Sequence, residues 1–379
     1  MGTFTQLLDQ QSWQQRKNNI YACDEDDVLI ALTNAKSGKR LSLKNFQALI
    51  SPAAEPYLEH MARLSQQLTQ QRFGKTIVMY VPLYLSNMCS KICTYCGFSM
   101  ENKIRRTTLD MTQLVAEAKA IKKLGFDHIL LVTGESERKV GMAYFEQALS
   151  VLRQYFSHIS MEVQPLSTKD YQQLKDWGVE SILVYQETYH RDKYAKYHLK
   201  GRKSDFDFRL ATPERVGEAG INKVGIGCLL GLEDWRSDAF HVAMQLEFLE
   251  QKFWKMKFSL SFPRLRPCEG GAEVNSPISE RQLVQLICAY RLFNNQVELS
   301  LSTRESAVFR DNMLSLGITT MSAGSKTQPG GYASDNDSLE QFSIDDTRSV
   351  ADVAAMIKAK GFEVIWKDWQ PGLTEMVDR

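Results

Sequence analysis

The sequence predicts an α/β fold: a (β/α)8 TIM-type barrel with an N-terminal helical extension and a C-terminal segment packed on it. Three observations carry that expectation. At four places an amphipathic helical run closes on Gly and turns straight into a short β-branched or Leu-rich run. Eight strand candidates alternate with seven helical segments over about 250 residues, the span typical of such barrels. Polar clusters recur where those strands end. The same alternation has an open doubly wound sheet as its runner-up.

Residues 1–72 carry helical runs rich in Gln and Leu, Tyr57–Gln71 among them, and no strand pattern, so a helical extension is expected there. Residues 73–325 are expected to form the barrel. TIVMYVPLYLS (Thr76–Ser86) opens it, and KKLG-FDHILLVT follows, ending at Thr133. Next come Ile159–Gln164, then KDWG-VESILVYQ to Gln186 and GEAG-INKVGIGC to Cys228. Lys257–Phe262, Val297–Ser302 and LSLG-ITTMSA to Ala323 complete the set. Gly125, Gly178, Gly220 and Gly317 stand where a helix ends in the left-handed region, which glycine enters without a Cβ clash. Thr212-Pro213 and Ser279 read as helix starts, the latter ahead of the periodic run Arg281–Phe293. After Ala323 the loop GSKTQPGGYASDNDS leads to a helix around Ser349–Lys360 and a last echo of the unit, KGFEVIWKDW. Residues 326–379 are too few for a core of their own and are expected to complete the barrel.

The 46 basic and 45 acidic side chains nearly cancel, so no global field recruits nucleic acid or an anionic membrane. No run of about 18 apolar residues occurs, and the N-terminus lacks an apolar signal core; a cytoplasmic location is expected. Gly2 is followed by Gln6 where a myristoylation pattern needs Ser or Thr. Of seven cysteines, Cys23, Cys228, Cys268 and Cys288 are scattered without pairing spacings, and Cys228 and Cys288 read as buried small hydrophobes.

The other three form CSKICTYC, with Cys89, Cys93 and Cys96 at C-x3-C-x2-C. Structural zinc and cubane iron–sulfur sites both want four ligands. Here the local motif stops one short, directly after the first strand, where barrel enzymes place their chemistry. Polar clusters at later strand ends would share that mouth: Thr133-Gly134-Glu135, Glu162 with Gln164, Gln186–His190, Arg264 with Arg266, Ser302–Glu305, and Ser322 with Ser325-Lys326. A zinc site completed by a distant His, or a redox-active Cys93/Cys96 pair, leaves those clusters without a purpose.

CSKICTYC resembles the C-x3-C-x-aromatic-C signature of the radical S-adenosylmethionine enzymes, with Tyr95 as the aromatic. That resemblance implies a [4Fe-4S] cluster on Cys89, Cys93 and Cys96. Its fourth iron would be kept for the amino and carboxylate groups of S-adenosylmethionine, the source of a 5′-deoxyadenosyl radical. VPLYLSNMC, LLVTGE, VYQETYH, DFDFRLATPERVGEAGI and LSTRES are similar to the aromatic amino acid lyase branch, over roughly residues 73–330. By that likeness Gly134 and Glu135 match a Gly-Gly-Glu segment whose first Gly is here Thr133. Glu187 would contact the nucleoside or amino moiety, and Arg209 the methionine carboxylate. Arg304 would grip the substrate carboxylate as a planar fork, with Tyr84, Ser302 and Ser322 facing the substrate. Each has a plain alternative: surface pairing for Arg209, barrel core for Tyr84 and Ser302.

The tyrosine-cleaving members of the branch serve thiamine thiazole synthesis. The implied reaction removes hydrogen from the amino group of L-tyrosine and breaks Cα–Cβ, giving dehydroglycine and, after reduction and protonation, p-cresol. Implied partners are a thiazole synthase and a flavodoxin- or ferredoxin-type reductant. A sister lyase of hydrogenase assembly carries further C-terminal cysteines, whereas none follows Cys288 here. A tryptophan lyase and a non-catalytic iron–sulfur scaffold are the alternatives.

Overall fold

The computed structural model describes residues 2–271, 274–333 and 340–367. Eight parallel strands close on themselves: β1 Thr76–Ser86, β2 His128–Thr133, β3 His158–Glu162, β4 Ser181–Leu183, β5 Lys223–Gly227, β6 Lys257–Ser261, β7 Glu298–Leu301 and β8 Thr320–Ser322. Each pairs with the next, and β8 returns to β1 through Val78–Thr320 to Tyr80–Ser322. The closed barrel displaces the open-sheet alternative. A ninth strand, β9 Glu363–Ile365, also pairs with β1, at Thr76–Val78.

Nine connecting α-helices, three of them between β4 and β5, and Val350–Ala359 after β8 surround the barrel. Their starts follow from local chemistry. Asp110, Ser167, Ser279 and Ser349 each cap a helix reciprocally with the side chain three residues on, satisfying two orphan amides at once. Thr212 is a correction: it is the first helical residue, Ala211 precedes it without a side-chain cap, and the Thr212 hydroxyl donates to Phe208 O instead. Gly125, Gly178, Gly220 and Gly317 all have positive φ, 97°, 89°, 75° and 142°.

Strand ends also differ from the sequence reading. The fourth strand was expected to reach Gln186 but its regular ladder stops at Leu183. Val184 and Gln186 still donate to Gly225 O and Gly227 O, and then Glu187 turns to φ 71°, breaking the pleat. β3 likewise ends at Glu162, before Gln164.

Along β1, Ile77, Met79, Val81, Leu83 and Leu85 are buried toward the helices, each worth roughly 1.5–3 kcal/mol in transfer from water. Val78, Tyr80, Pro82 and Tyr84 alternate with them and face the axis. Followed round the barrel, Tyr84 stands beside Val132, Val132 beside Glu162, Leu183 beside Gly225, and Gly225 beside Ser259 and so Glu298. The ladder meets β1 again at the level of Thr76, a stagger of eight residues, which is the shear of an eight-stranded barrel. That stagger sorts the axial side chains into layers from alternate strands. Pro82, Glu162, Gly227 and Ser302 form the upper layer; Leu130, Leu183, Ser261 and Ser322 lie below it, then Tyr80, Ser160, Gly225 and Ser300. Most barrels fill these layers with branched apolar residues. Here serine and glycine predominate.

Among residues 2–72, helices at Phe4–Asp9, Trp13–Tyr21, Glu25–Lys36, Leu43–Leu49 and Leu58–Phe73 pack on one flank. Polar links hold them: Arg236 donates to Ile50 O (2.8 Å) and Glu55 (2.7 Å), and Gln285 to Leu49 O and Ser51 O. No helix among the described residues is long and apolar enough to cross a membrane.

Candidate active site

The loop after β1 carries Cys89, Cys93 and Cys96 over the open C-terminal end of the barrel, and all three line one cavity of about 180 Å³. The loop is held by backbone contacts. Ser90 N donates to Glu135 O (3.0 Å), and Thr94 N to Tyr197 O. Ile92–Cys93 pairs antiparallel with His198–Lys200. Arg106 gathers the carbonyls of Asn87, Phe98, Ser99 and Asn102. Gly134 lies so close beneath that a Cβ there would stand 2.4 Å from Met88 O. The Gly134-Glu135 pair therefore has a visible task, seating the cysteine loop.

The three thiols are free. Burial pushes the thiols of Cys93 and Cys89 up, with Lys203 pulling Cys93 back only in part and the charge of Cys96 adding to both, so thiolates at this spot want a cation. Among the described residues no three Cys, His, Asp or Glu side chains converge as a single-ion site would require. A cluster takes each thiolate at a separate corner, so its ligands need not meet at a point. Cys268, whose thiol points at Tyr95 O (3.2 Å), does not line the cavity. The donor set on the cavity side is thus three soft thiolates, which fits an iron–sulfur cluster with one iron left without a protein thiolate.

On one wall, Arg209 donates to Tyr185 O (2.7 Å), Glu135 Oε1 (3.0 Å) and Glu187 Oε1 (3.2 Å), and Lys203 Nζ reaches Glu187 Oε1 at 2.8 Å. Burial alone would raise the Glu187 pKa, but Lys203 and Arg209 outweigh it and hold the carboxyl down to about 2. Glu187 is the only non-glycine at positive φ among the described residues, and its carbonyl accepts from Leu229 N (2.8 Å). Arg209 is therefore buried and paired, not a surface cation. One carboxylate oxygen, Glu135 Oε2, is buried with no partner among the described residues. An orphan acceptor beside the thiols suits the ammonium or hydroxyl groups of a ligand.

Tyr95 closes the same side. His198 Nδ1 faces Tyr194 O (2.8 Å), so the ring proton sits there and Nε2 accepts from the Tyr95 hydroxyl (2.7 Å). Burial keeps His198 neutral, with its pKa pushed down to about 3. Lys203 lies 5.5 Å above the Tyr95 ring.

Opposite, Arg304 enters from the loop after β7. Its Nη1 donates to Arg264 O (3.1 Å), and its guanidinium lies 3.4 Å over the Phe342 ring. It pairs with no carboxylate among the described residues. Arg264 is taken by Glu305, and Arg266 by Arg304 O and Asp345. Burial accordingly lowers the Arg304 pKa. Ser302 Oγ accepts from Arg304 N, and Ser322 Oγ from Thr303 N, so both serines brace this loop while lining the cavity. Tyr84 donates to Gln341 Oε1 (2.7 Å), and Gln341 Nε2 points to the Cys96 sulfur (3.6 Å).

The twelve residues given roles by the resemblance all line one cavity, whereas of the strand-end clusters expected at the mouth Gln164, Gln186, Thr188, Tyr189, His190, Arg264, Glu305 and Lys326 do not line it. Lys203, Gln341 and Phe342 were missed. Lys203 stands in GRKS, which reads as an exposed turn, and Gln341 and Phe342 follow the polar loop after Ala323, without periodicity.

The comparisons agree with this geometry. Residues 83–241 match the Radical SAM superfamily model, and residues 261–363 the Biotin and Thiamin Synthesis associated domain. The chain is 52% identical to 2-iminoacetate synthase of Salmonella typhimurium over 374 residues, 98% of both chains. It is 52% identical to that of Escherichia coli over 370 residues, 97% of both. The FeFe-hydrogenase maturase HydG from Carboxydothermus hydrogenoformans superposes with a TM-score of 0.89 at 30% identity, covering 96% of this chain and 85% of that one. The chain belongs to the 2-iminoacetate synthase family of the radical S-adenosylmethionine superfamily.

Proposed function

We propose that this chain cleaves the Cα–Cβ bond of L-tyrosine to 2-iminoacetate (dehydroglycine) and p-cresol, for the thiazole of thiamine. Full-length identity to 2-iminoacetate synthases supports the reaction, and one observation in the cavity supports the substrate: Arg304 is a half-buried guanidinium facing the site without a carboxylate of its own among the described residues. An isolated buried cation is costly unless a ligand completes it. An α-carboxylate matches its planar fork.

When bound on Cys89, Cys93 and Cys96, a [4Fe-4S] cluster with S-adenosylmethionine would supply the radical that takes hydrogen from the tyrosine amino group. The chain's own residues do the rest. Glu135, Glu187, Lys203 and Arg209 form a fixed set of charges for the polar groups of S-adenosylmethionine, and Tyr95 walls that side. Arg304 holds the tyrosine carboxylate, which sets the amino group toward the cysteines and the ring toward the barrel axis. Tyr84, tied to Gln341, and the bracing serines Ser302 and Ser322 keep that geometry and exclude water, which hydrolyses dehydroglycine. A thiazole synthase to receive the imine and a flavodoxin- or ferredoxin-type reductant are the partners this chemistry calls for.

Anaerobic incubation of reconstituted protein with reductant and S-adenosylmethionine tests this. The expected result is tyrosine-dependent p-cresol and glyoxylate, the hydrolysis product of dehydroglycine, with 5′-deoxyadenosine. Products that appear with tryptophan and not tyrosine would replace the substrate. Absence of any 5′-deoxyadenosine would leave a scaffold protein.

A further inference from the structure

We propose that Glu162 is the specificity-determining residue that receives the phenol hydroxyl of tyrosine, through a hydrogen bond across the upper layer of the barrel. This rests on Arg304 as the carboxylate anchor.

Glu162 is the last residue of β3 and lines the cavity. Among the described residues its carboxyl has no hydrogen-bond or ion-pair partner, unlike Glu135 and Glu187 nearby. The register places it in the layer of Pro82, Gly227 and Ser302. In an eight-stranded barrel β3 and β7 are diametrically opposed, so Glu162 faces Ser302, and Arg304 stands two residues above Ser302. An amino acid held by its carboxylate at Arg304, with its amino group toward the cysteines, has only the axis left for its ring. The axial end of the cavity is bounded by Ser261, Ser300 and Ser322 and by two phenols, Tyr185 on Ser261 Oγ (3.1 Å) and Tyr80 on Ser300 Oγ (3.4 Å). A carboxyl lies at the far side of that space.

Its charge state suits the role. Burial first, and then the negative charge of Glu187, push the Glu162 carboxyl up to about 7, while Arg304, Lys203 and Arg209 pull it down. Tyr80, Tyr84 and Tyr185 also sense its charge. A carboxyl poised there can accept the phenol proton's hydrogen bond or donate one. A site built around a substrate hydroxyl rejects the analogue lacking it, because its own polar group is then left unpaired.

The test is a cycle between this side chain and the substrate hydroxyl. L-Tyrosine and L-phenylalanine are titrated calorimetrically into anaerobically reconstituted protein with S-adenosylmethionine and no reductant. Wild type should prefer tyrosine on the order of 10- to 100-fold. In Glu162→Ala that ratio should fall to about one, chiefly through weaker tyrosine binding. Glu162→Gln, isosteric and safe for folding, should reduce the ratio several-fold. Arg304→Ala should weaken both ligands equally and leave the ratio intact, so a failure of the anchor reading shows as unchanged affinities there. A tyrosine-to-phenylalanine ratio in Glu162→Gln and Glu162→Ala equal to wild type overturns the proposal.

Discussion

Arg304→Ala should separate binding from stability, with opposite expectations for the two. The side chain gives the fold one hydrogen bond to Arg264 O, about 1 kcal/mol, and a stacked contact on Phe342 of about 1 kcal/mol. Against these stands the cost of partly burying a guanidinium with no carboxylate beside it among the described residues, which its lowered pKa reflects. The terms oppose each other, so unfolding free energy without substrate should change by about 1 kcal/mol or less. Tyrosine loses a charge-assisted bidentate contact in a water-poor site, about 2–4 kcal/mol, or roughly 30- to 1000-fold in Kd. Calorimetric tyrosine titration of the reconstituted protein and urea unfolding of the apo chain read the two quantities. p-Cresol should fall much further than 5′-deoxyadenosine, and Arg304→Lys should recover only part of the affinity. A variant that binds tyrosine normally but unfolds several kcal/mol earlier would refute the reasoning and make Arg304 a structural cation.

Replacing Cys89, Cys93 or Cys96 with Ala should abolish the iron–sulfur absorbance of protein that otherwise holds about four irons per chain, whereas Cys228→Ala and Cys268→Ala should keep it. Iron and sulfide assays decide. Because Lys203 and Arg209 hold Glu187 near 2, below its ordinary 4.5, its contribution to stability is complete above pH 4.5 and is lost as pH falls toward 2. The contribution is about 3 kcal/mol at most. Lys203→Met should therefore move the acid-unfolding midpoint, followed by circular dichroism, to higher pH; an unmoved midpoint counts against the network. Gly134→Ala should drive a Cβ into Met88 O, displace the cysteine loop and cut cluster retention while leaving the barrel folded. Full iron content in that variant would show that the loop can move aside.

The barrel was legible because helix ends and strand starts share a local signature: Gly125, Gly178, Gly220 and Gly317 each sit at the positive φ their position requires. The candidate site was legible in type, since strand ends in a closed barrel converge whatever their separation in sequence. Pairing was not. Arg209 read equally as a surface-pairing cation, and only the folded chain brings Glu135, 74 residues away, to its guanidinium. Lys203 and Gln341 lie in polar turns whose burial comes from tertiary contact, which leaves no periodic trace. Glu162 stood out only as one polar strand end among several; its place opposite Ser302 follows from the shear, a property of the closed barrel and not of any one strand.

The double closure of β1 bears on how the chain reaches this state. The first barrel strand to leave the ribosome is paired on one side by β8 and at its start by β9, both from the far end of the sequence. Until they arrive, eleven residues of TIVMYVPLYLS present an unpaired, strongly apolar edge. Contacts of such separation slow folding, and an edge left open through synthesis invites pairing with other chains. Truncation before Glu363 should thus lower soluble yield far more than the loss of one three-residue strand suggests, and expression at reduced temperature or with added chaperone should favour the intact chain.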